Sequence, residues 1–174
     1  MKAQHFLETL SGKVTLIFHN DGDGVCSATL IYDYLKSRGI EVRLFSGDIE
    51  KRTFQNARVS ENIIMTDLAI DQYPEFIEKF RDKNVLIIDH HPIKSDLNEV
   101  GFVHINPRIK DPDKYISASE ICYDILKDIT KPKEWLMKVG GVSDCSLKGS
   151  RREEKAAHMI AAIKAVKRSI YLSE

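Results

Sequence analysis

The sequence predicts an open α/β fold, with a mainly parallel sheet of about five strands and helices on both faces. Short apolar runs at residues 14–18, 62–65 and 85–88 have the length of strands, and helical spacing of apolar residues separates the first of them from a further strand at 42–45. Strand, helix and strand over residues 14–45 predict a right-handed βαβ unit. The run at 85–88 has no polar alternation, which is typical of a strand covered on both faces.

The predicted elements begin with a helix over residues 1–12, a strand at 14–18, a helix from 24 to 37 and a strand at 42–45. Residues 47–56 are polar and predict a loop or a short helix. A strand at 62–65 precedes a helix at 74–80, which has Pro74 in its first turn. Strands at 85–88 and 102–105 then lead to helices at 117–127, 132–139 and 151–171.

Two of the last helices carry more detailed expectations. The helix at 132–139 is expected to bury Trp135 with Leu136, and the Gly-Gly pair at 140–141 is expected to end it and open a tight turn before Asp144. The helix at 151–171 is expected to present one apolar stripe. The residues of this stripe are Ala156, Met159, Ile160, Ile163, Val166 and Ile170.

The composition fits one globular domain of 174 residues, since 43% of the residues are hydrophobic and 30% are charged. Lys plus Arg equals Asp plus Glu, 26 against 26, which argues against a non-specific duplex-DNA binder because such proteins carry a basic excess. No run approaches the roughly 20 apolar residues of a membrane helix, and the N-terminus lacks the apolar segment of a signal peptide. We therefore expect a cytoplasmic protein without membrane contact.

Polar residues follow the apolar runs directly. Because ligands of open parallel sheets bind outside the carboxyl ends of the strands, we expect these side chains to gather at one edge of the sheet. Each has a simpler explanation alone, such as an Asp-Gly turn or a helix cap, but their conjunction at three strand ends favours one site. The residues concerned are His19, Asp21, Asp23, Asp67, Asp89, His90 and His91.

Clustered carboxylates repel one another, and a divalent cation removes that repulsion. Carboxylates and imidazoles suit Mn²⁺, Mg²⁺ or Zn²⁺, whereas Cys26, Cys122 and Cys145 form no zinc motif and are expected to be reduced and mostly packed thiols. Two ions roughly 3.5–4 Å apart would suit hydrolysis of a phosphate ester or anhydride. Gly22 and Gly24 are expected to let the backbone turn sharply, so that the neighbouring acids face one point.

The pattern resembles the DHH phosphoesterase superfamily, which takes its name from the triplet found here at residues 89–91. The family's acid-x-acid-glycine loop is similar to residues 21–24, and the preceding His19 resembles the form found in archaeal RecJ-like proteins. Asp67 resembles the second motif, and the Gly-rich turn before Asp144 resembles the fourth. Residues 106–108, Asn-Pro-Arg, resemble a segment that follows the triplet in RecJ-like members.

This resemblance implies a Rossmann-like DHH domain with two divalent metal ions, Mn²⁺ preferred and Mg²⁺ as the alternative. Asp67 would bridge the two ions. His91 would contact the scissile phosphate or support the metal ligands from behind, Asp89 would orient a histidine, and Arg108 would hold a substrate phosphate. The first ion would be bound by Asp21 and Asp67 with His19, and the second by Asp23, Asp67, His90 and Asp144.

The chain departs from the family in two respects. Some members carry the histidine four residues before the first acid, where this chain has Ile17, and this makes a type II inorganic pyrophosphatase a poorer match than a RecJ-like protein. Most members also carry a C-terminal domain that closes over the site. We expect residues 1–174 to form a single DHH domain, with residues 151–174 as a C-terminal helix or the beginning of an interdomain linker.

Three functions remain open. The first is a RecJ-like exonuclease or oligonucleotide hydrolase acting on single-stranded DNA or RNA, although the aromatic residues occupy core-like positions and no stacking platform is predicted. The second is a hydrolase of a small phosphorylated molecule, such as a dinucleotide or pyrophosphate. The third is a replisome scaffold, because RecJ-like proteins resemble the helicase-activating partner of the eukaryotic replisome and archaeal relatives associate with the GINS complex.

Overall fold

A computed structural model describes residues 2–47 and 59–160 of the chain. Its five strands form one sheet in the order β2-β1-β3-β4-β5, and every neighbouring pair is parallel. The predicted open, parallel α/β sheet is therefore confirmed. The strands are β1 Lys13–Phe18, β2 Glu41–Ser46, β3 Asn62–Thr66, β4 Asn84–Ile88 and β5 Val103–Ile105.

Helices connect the strands on both faces of this sheet. Residues 151–160 are also helical, whereas the rest of the helix predicted over 151–171, and the loop or short helix predicted over 47–56 from residue 48 onwards, lie outside the described residues. Three 3₁₀ turns lie at Ile70–Gln72, Leu97–Val100 and Pro107–Ile109. The helices are α1 Lys2–Thr9, α2 Gly22–Ser37, α3 Pro74–Lys79, α4 Ala118–Leu126 and α5 Glu134–Ser143.

The sheet separates two apolar cores because successive side chains of a strand point to opposite faces. Leu16, Ile64 and Leu86 face the larger core, to which α1, α2, α4 and α5 contribute. Their neighbours Ile17 and Met65 face the smaller core, with residues of α3. Four of the five residues of β4 are buried, as its unbroken apolar run predicts. Among the described residues, no helix is long and apolar enough to cross a membrane.

The strand order reverses between β1 and β3. The chain leaves β1 toward the β2 edge, then returns to place β3 on the other side of β1. In open α/β sheets, this reversal opens a crevice at the carboxyl ends of the two strands, and ligands bind there. The fold therefore places a candidate site after Phe18 and Thr66, the last residues of β1 and β3.

Helix α5 corrects two sequence-based expectations. It continues through residues 140–141 to Ser143, so the Gly-Gly pair is helical and not a turn. A side chain at Gly140 would collide with Ser119 at the beginning of α4 and approach a carboxylate oxygen of Asp23, so glycine serves close packing here. Trp135 is 57% exposed and does not point inward, whereas Leu136 is buried as predicted.

Three further expectations were wrong in detail. Helix α2 begins at Gly22, two residues earlier than predicted, so Asp23 lies in its first turn. Neither Gly22 nor Gly24 has a positive φ, and a side chain at Gly24 would collide with the backbone of His19, so these glycines permit close packing and not a sharp turn. In the helical segment 151–160, Met159 is 65% exposed and lies outside the buried stripe.

Candidate metal centre

The ends of β1, β3 and β4 are held side by side by backbone hydrogen bonds that extend the sheet. The amide of His19 donates to Thr66 at 3.3 Å, and the amide of Asp67 donates to Ile88 at 2.9 Å. The amide of Asp89 donates to Ile105 of β5 at 3.0 Å. The polar residues that follow these three strands are therefore brought together at one edge, as the sequence predicts.

Asp67 lies at the centre of the cluster. Its side chain is 2% exposed, and its backbone is left-handed, with φ +60. Oδ1 lies 3.1 Å from Nε2 of His90, and Oδ2 lies 3.4 Å from Nδ1 of His19. A non-glycine residue in the left-handed region is uncommon, and such conformations cluster at functional sites. The backbone thus turns this carboxylate toward two imidazoles.

His19 and Asp21 form one side of the cluster. Nδ1 of His19 lies 2.8 Å from Oδ2 of Asp21, and Oδ1 of Asp21 accepts a hydrogen bond from the Gly24 amide at 2.9 Å, which caps α2. Burial alone would lower the pKa of His19, but the neighbouring carboxylates of Asp21 and Asp67 raise it to about 10. Burial alone would raise the pKa of Asp21, but its contacts with His19 and the Gly24 amide hold that pKa below the usual range.

Asp23, His90 and Asp144 form the other side. Nδ1 of His90 lies 3.5 Å from Oδ2 of Asp144, the residue that ends α5. Burial alone would lower the pKa of His90, but the hydrogen bond with Asp67 and the charge of Asp144 raise it to about 9. Burial, assisted by the charge of Asp67, raises the pKa of Asp23 to about 7. These shifts are those expected where acids and imidazoles are packed together in a largely buried cluster.

The carboxylate of Asp23 also holds the beginning of α4. Its Oδ2 accepts from the Ala118 amide at 2.6 Å, and its Oδ1 accepts from the Ser119 amide at 2.9 Å. The N-terminus of a helix favours a negative charge and offers unpaired amides, so this contact fixes the acid against the helix. The sequence analysis missed this role because the partners are 95 and 96 residues away.

Asp89 lies behind the histidines and is 1% exposed. It accepts from Nδ1 of His91 at 2.7 Å and from the Nδ2 of Asn106 at 3.4 Å. The hydrogen bond with His91 is the main reason that the pKa of that histidine is raised. Because Nδ1 faces Asp89, Nε2 is the His91 atom that remains for a ligand. Asp89 thus has the geometry that orients a histidine, the role expected for it.

Asn106 lies in the Asn-Pro-Arg segment that the sequence singled out without assigning it a role, and Tyr115 is a site residue that sequence reasoning missed. Asn106 donates to the carbonyl of His91 at 3.0 Å and accepts from the Arg108 amide at 2.9 Å, which joins the triplet to the arginine. The hydroxyl of Tyr115 lies 2.8 Å from Oδ2 of Asp144. Burial, assisted by that carboxylate, raises the pKa of Tyr115 to about 12, so the phenol keeps its proton and can donate. An aromatic residue in the aperiodic, polar segment 107–116 was the available signal.

The cluster fits a divalent cation. Three overlapping groups each bring their ligand atoms within 4.8 Å of one another. Buried Oδ2 of Asp67 and Nδ1 of His90 have no hydrogen-bond partner among the described residues, and buried polar atoms of this kind are typical of a ligand-binding site. Carboxylate oxygen with imidazole nitrogen is a donor set that binds divalent metals. The groups are Asp67 with His90 and His91, His19 with Asp21 and Asp67, and Asp23 with His90 and Asp144.

Fold and site together define an α/β protein with a polar ligand site at the switch point of a parallel sheet. A family model described as the DHH family, N-terminal domain, matches residues 13–149. The chain therefore belongs to the DHH family, whose members are in general hydrolases of phosphate esters. This confirms the family that the motifs indicated. No curated protein matches the chain.

The solved structures that are similar in fold include the following three. RecJ of Thermus thermophilus in complex with Mn²⁺ has a TM-score of 0.66 and 18% identity, over 82% of this chain and 24% of that one. CDC45 of Entamoeba histolytica has a TM-score of 0.57 and 17% identity, over 92% and 34%. An uncharacterized protein of Helicobacter pylori G27 has a TM-score of 0.57 and 16% identity, over 87% and 49%. The chain thus spans about a quarter to a half of these proteins' length.

Proposed function

We propose that the protein is a metal-dependent phosphodiesterase that hydrolyses single-stranded nucleic acid or short oligonucleotides. The observation that carries this proposal is the position of Asp67, whose carboxylate belongs both to the group with His19 and Asp21 and to the group with His90 and His91. A buried carboxylate shared by two ligand groups suits two ions held side by side. Membership of the DHH family supports phosphate-ester hydrolysis as the reaction class.

The described side chains offer a ligand set for each of two ions. Asp67 would bridge them, and Mn²⁺ is the ion we propose, since the similar RecJ structure is a complex with Mn²⁺; Mg²⁺ is the alternative. When bound, divalent ions supply the positive charge that stabilises negative charge on the phosphate oxygens during hydrolysis. His19, Asp21 and Asp67 would bind the first ion, and Asp23, Asp67, His90 and Asp144 the second.

Two residues, His91 and Arg108, would act on the substrate itself, and Asp89 would act through His91. The hydrogen bond from Nδ1 of His91 to Asp89 holds the imidazole in one orientation and favours its charged form, so Nε2 can donate to a phosphate oxygen. Asp89 thereby acts through His91. Arg108 has a buried Nε without a hydrogen-bond partner among the described residues, and its planar guanidinium can hold a second phosphate oxygen.

A direct comparison of substrates tests the proposal. The protein is incubated with Mn²⁺, or with Mg²⁺, and with single strands labelled at the 5′ or 3′ end, beside a linear dinucleotide, a cyclic dinucleotide and pyrophosphate. We expect the wild-type protein to shorten the single strands and the Asp67→Asn variant to leave them intact. Asp33→Asn is the matched control, because this aspartate pairs with Lys133 at 2.8 Å on the surface, outside the cluster. Intact strands beside a consumed small phosphate would refute the nuclease.

That second outcome defines the alternative enzyme, a hydrolase of a dinucleotide or pyrophosphate. The equal number of basic and acidic residues favours it, since a small substrate needs no extended basic groove. The chemistry at the cluster would be the same. The same assay decides between the two enzymes, because each substrate is followed in parallel.

A non-catalytic scaffold is the third candidate, supported by the similarity of the fold to CDC45. In this case the protein would bind GINS or another replication protein. The presence of every acid of the cluster favours an active site, although both roles can coexist. An Asp21→Ala, Asp67→Ala double variant is expected to lose hydrolysis. Retained GINS binding by this variant, measured by pull-down, would establish a separate scaffold role, and no GINS binding by either protein would dismiss it.

We also propose that residues 1–174 form one DHH domain that acts in the cytoplasm, with residues 151–174 as a C-terminal helix or the beginning of a linker. Cys26, Cys122 and Cys145 are all free thiols, which fits a reducing compartment. Limited proteolysis is expected to leave one resistant fragment. Cell fractionation with an antibody against the chain would test the location, and recovery outside the cytoplasmic fraction would contradict it.

A further inference from the structure

Tyr115 is an exposed aromatic residue at the border of the cluster. It lies between the 3₁₀ turn Pro107–Ile109 and α4, and it is 47% exposed. Its ring centroid lies 5.7 Å from that of His90, one of the residues of the metal-binding groups. No obvious stacking platform could be recognised in the sequence, where the aromatic residues lie mostly at core-like positions, and Tyr115 is an exposed exception at the border of the cluster.

Arg108 extends this aromatic surface. Its guanidinium carbon lies 5.7 Å from the centroid of the Tyr115 ring, within the range of a cation–π contact. One of its nitrogens, Nη1, donates to the carbonyl of Pro112 at 3.2 Å, whereas Nε is buried without a hydrogen-bond partner in the part of the chain that the structure describes. The guanidinium is thus held in place while it keeps donor capacity for an anion.

The hydroxyl of Tyr115 fixes the ring to the cluster. It lies 2.8 Å from Oδ2 of Asp144 and 2.7 Å from the Asp144 carbonyl, and it donates its one proton between them. This contact orders an exposed ring next to the carboxylate that faces His90. The guanidinium of Arg108, the ring of Tyr115 and the candidate metal ligands therefore lie next to one another.

We propose that Tyr115 and Arg108 form a nucleotide subsite, in which the tyrosine ring stacks on a base and the guanidinium binds the phosphate of that nucleotide. Both aromatic rings and arginine planes are surfaces on which unpaired bases stack. The inference rests on the proposed function and narrows its substrate to phosphodiesters that carry a base beside the scissile phosphate. Inorganic pyrophosphate, which has no base, would gain nothing from Tyr115.

Two substitutions separate stacking from the contact with Asp144. Y115F keeps the ring and removes the hydroxyl, whereas Y115L removes both. Trp135→Leu is the matched control, because this residue is 57% exposed and lies at the beginning of α5, whose other end carries Asp144. Each variant is tested in Mn²⁺ with two single strands that differ only at the terminal nucleotide, which either carries a base or is abasic.

We expect Y115L to raise KM for the base-bearing strand about 5- to 150-fold, the range that loss of one stacked base implies. KM for the abasic strand should stay unchanged. Y115F should keep the wild-type KM on both strands, and any loss should fall on kcat through Asp144. Equal effects of Y115F and Y115L on both strands would overturn the subsite, because they would leave the contact with Asp144 as the sole role of Tyr115.

Arg108→Gln provides a second variant, whose KM should rise on both strands alike because both retain the phosphate. An unchanged KM would remove Arg108 from the subsite. Fluorescence anisotropy with labelled strands in Ca²⁺ measures binding without turnover. If the wild-type protein cleaves nothing, the proposed function fails, yet tighter binding of the base-bearing strand that Y115L abolishes would still support the subsite. Equal binding of the two strands would overturn it.

Discussion

Asp67 and Asp71 are two buried aspartates that follow the same strand, and their surroundings differ. Asp67 is 2% exposed and Asp71 is 4% exposed. Oδ2 of Asp71 accepts from the backbone amides of Lys94 at 2.6 Å and Ser95 at 3.1 Å. Oδ2 of Asp67 has no hydrogen-bond partner among the described residues and faces His19. Backbone amides therefore use the hydrogen-bonding capacity of Oδ2 in Asp71, whereas the same capacity of Oδ2 in Asp67 is not used by the described residues.

This difference shows that burial by itself does not mark a ligand site. A buried carboxylate that accepts from backbone amides and belongs to no group of potential metal ligands is a structural anchor, because its hydrogen-bonding capacity is already used. Asp71 anchors the loop that follows His91 in this way. Asp23 also accepts from backbone amides, but it belongs to the group with His90 and Asp144. Asp67 combines burial with an unused oxygen, a left-handed backbone and two neighbouring imidazoles, and this combination favours a cation.

The largest expected effect concerns the protons that a metal must displace. The ordinary pKa of histidine is about 6.5. In the metal-free fold, the acids raise the pKa of His19 to about 10 and that of His90 to about 9. Their stabilisation of the metal-free fold is therefore complete below about pH 6.5 and is lost as the pH rises through 9 and 10. A bound metal replaces these protons, so metal affinity must rise with pH.

We expect apparent Mn²⁺ affinity to rise about tenfold per pH unit for each proton released, up to about 10⁴-fold from pH 6 to pH 8. Calorimetry in buffers of different ionisation enthalpy gives the proton count directly. His19→Gln should remove one released proton, whereas His5→Gln, at an exposed residue of α1, should remove none. Binding heats that do not depend on the buffer would mean that neither His19 nor His90 is a ligand.

Asp67→Asn tests the unsatisfied aspartate. Asparagine tolerates the left-handed backbone at this residue, so the metal-free variant should remain folded. It removes the charge shared by two ligand groups, and we expect turnover to fall by about 10³-fold, since a bound cation supplies several kcal/mol of transition-state stabilisation. The rise in melting temperature on addition of Mn²⁺ should also disappear. Wild-type stabilisation by Mn²⁺ would show that Asp67 does not bind the ion.

Asp89→Asn tests a residue that shares features with both the structural anchor Asp71 and the candidate ligand Asp67. Asp89 is fully buried and hydrogen-bonded like Asp71, but its partner is His91, a residue of the cluster. Loss of such an orienting carboxylate costs about 10- to 100-fold in activity or metal affinity. The pKa of His91 should fall, because the Asp89 hydrogen bond is what raises it. NMR titration of the imidazole checks this shift, and an unchanged pKa would remove the orienting role.

The sequence allowed prediction of the strand ends but not of the contacts that arise across the fold. Continuous apolar runs identify the parallel strands, and Asp67 and His90 follow them directly, so their convergence could be predicted. The bond from the Ala118 amide to Asp23 joins residues 95 apart, and no local pattern reports it. Gly140 was taken for a turn because glycine in a sequence gives no indication of whether it serves φ or close packing.

Asp71→Asn should give the smallest effect, and this effect should be on stability and not on turnover or metal binding. The substitution keeps an oxygen that can accept from the Lys94 and Ser95 amides, but it removes the charge that strengthens both bonds. We expect the free energy of unfolding to fall by about 1–2 kcal/mol, the difference between charged and neutral hydrogen bonds. Because the cluster itself is untouched, turnover well below the melting temperature and stabilisation by Mn²⁺ should match the wild type. Urea unfolding and steady-state kinetics measure the two quantities, and a loss of metal binding here would erase the distinction between the two aspartates.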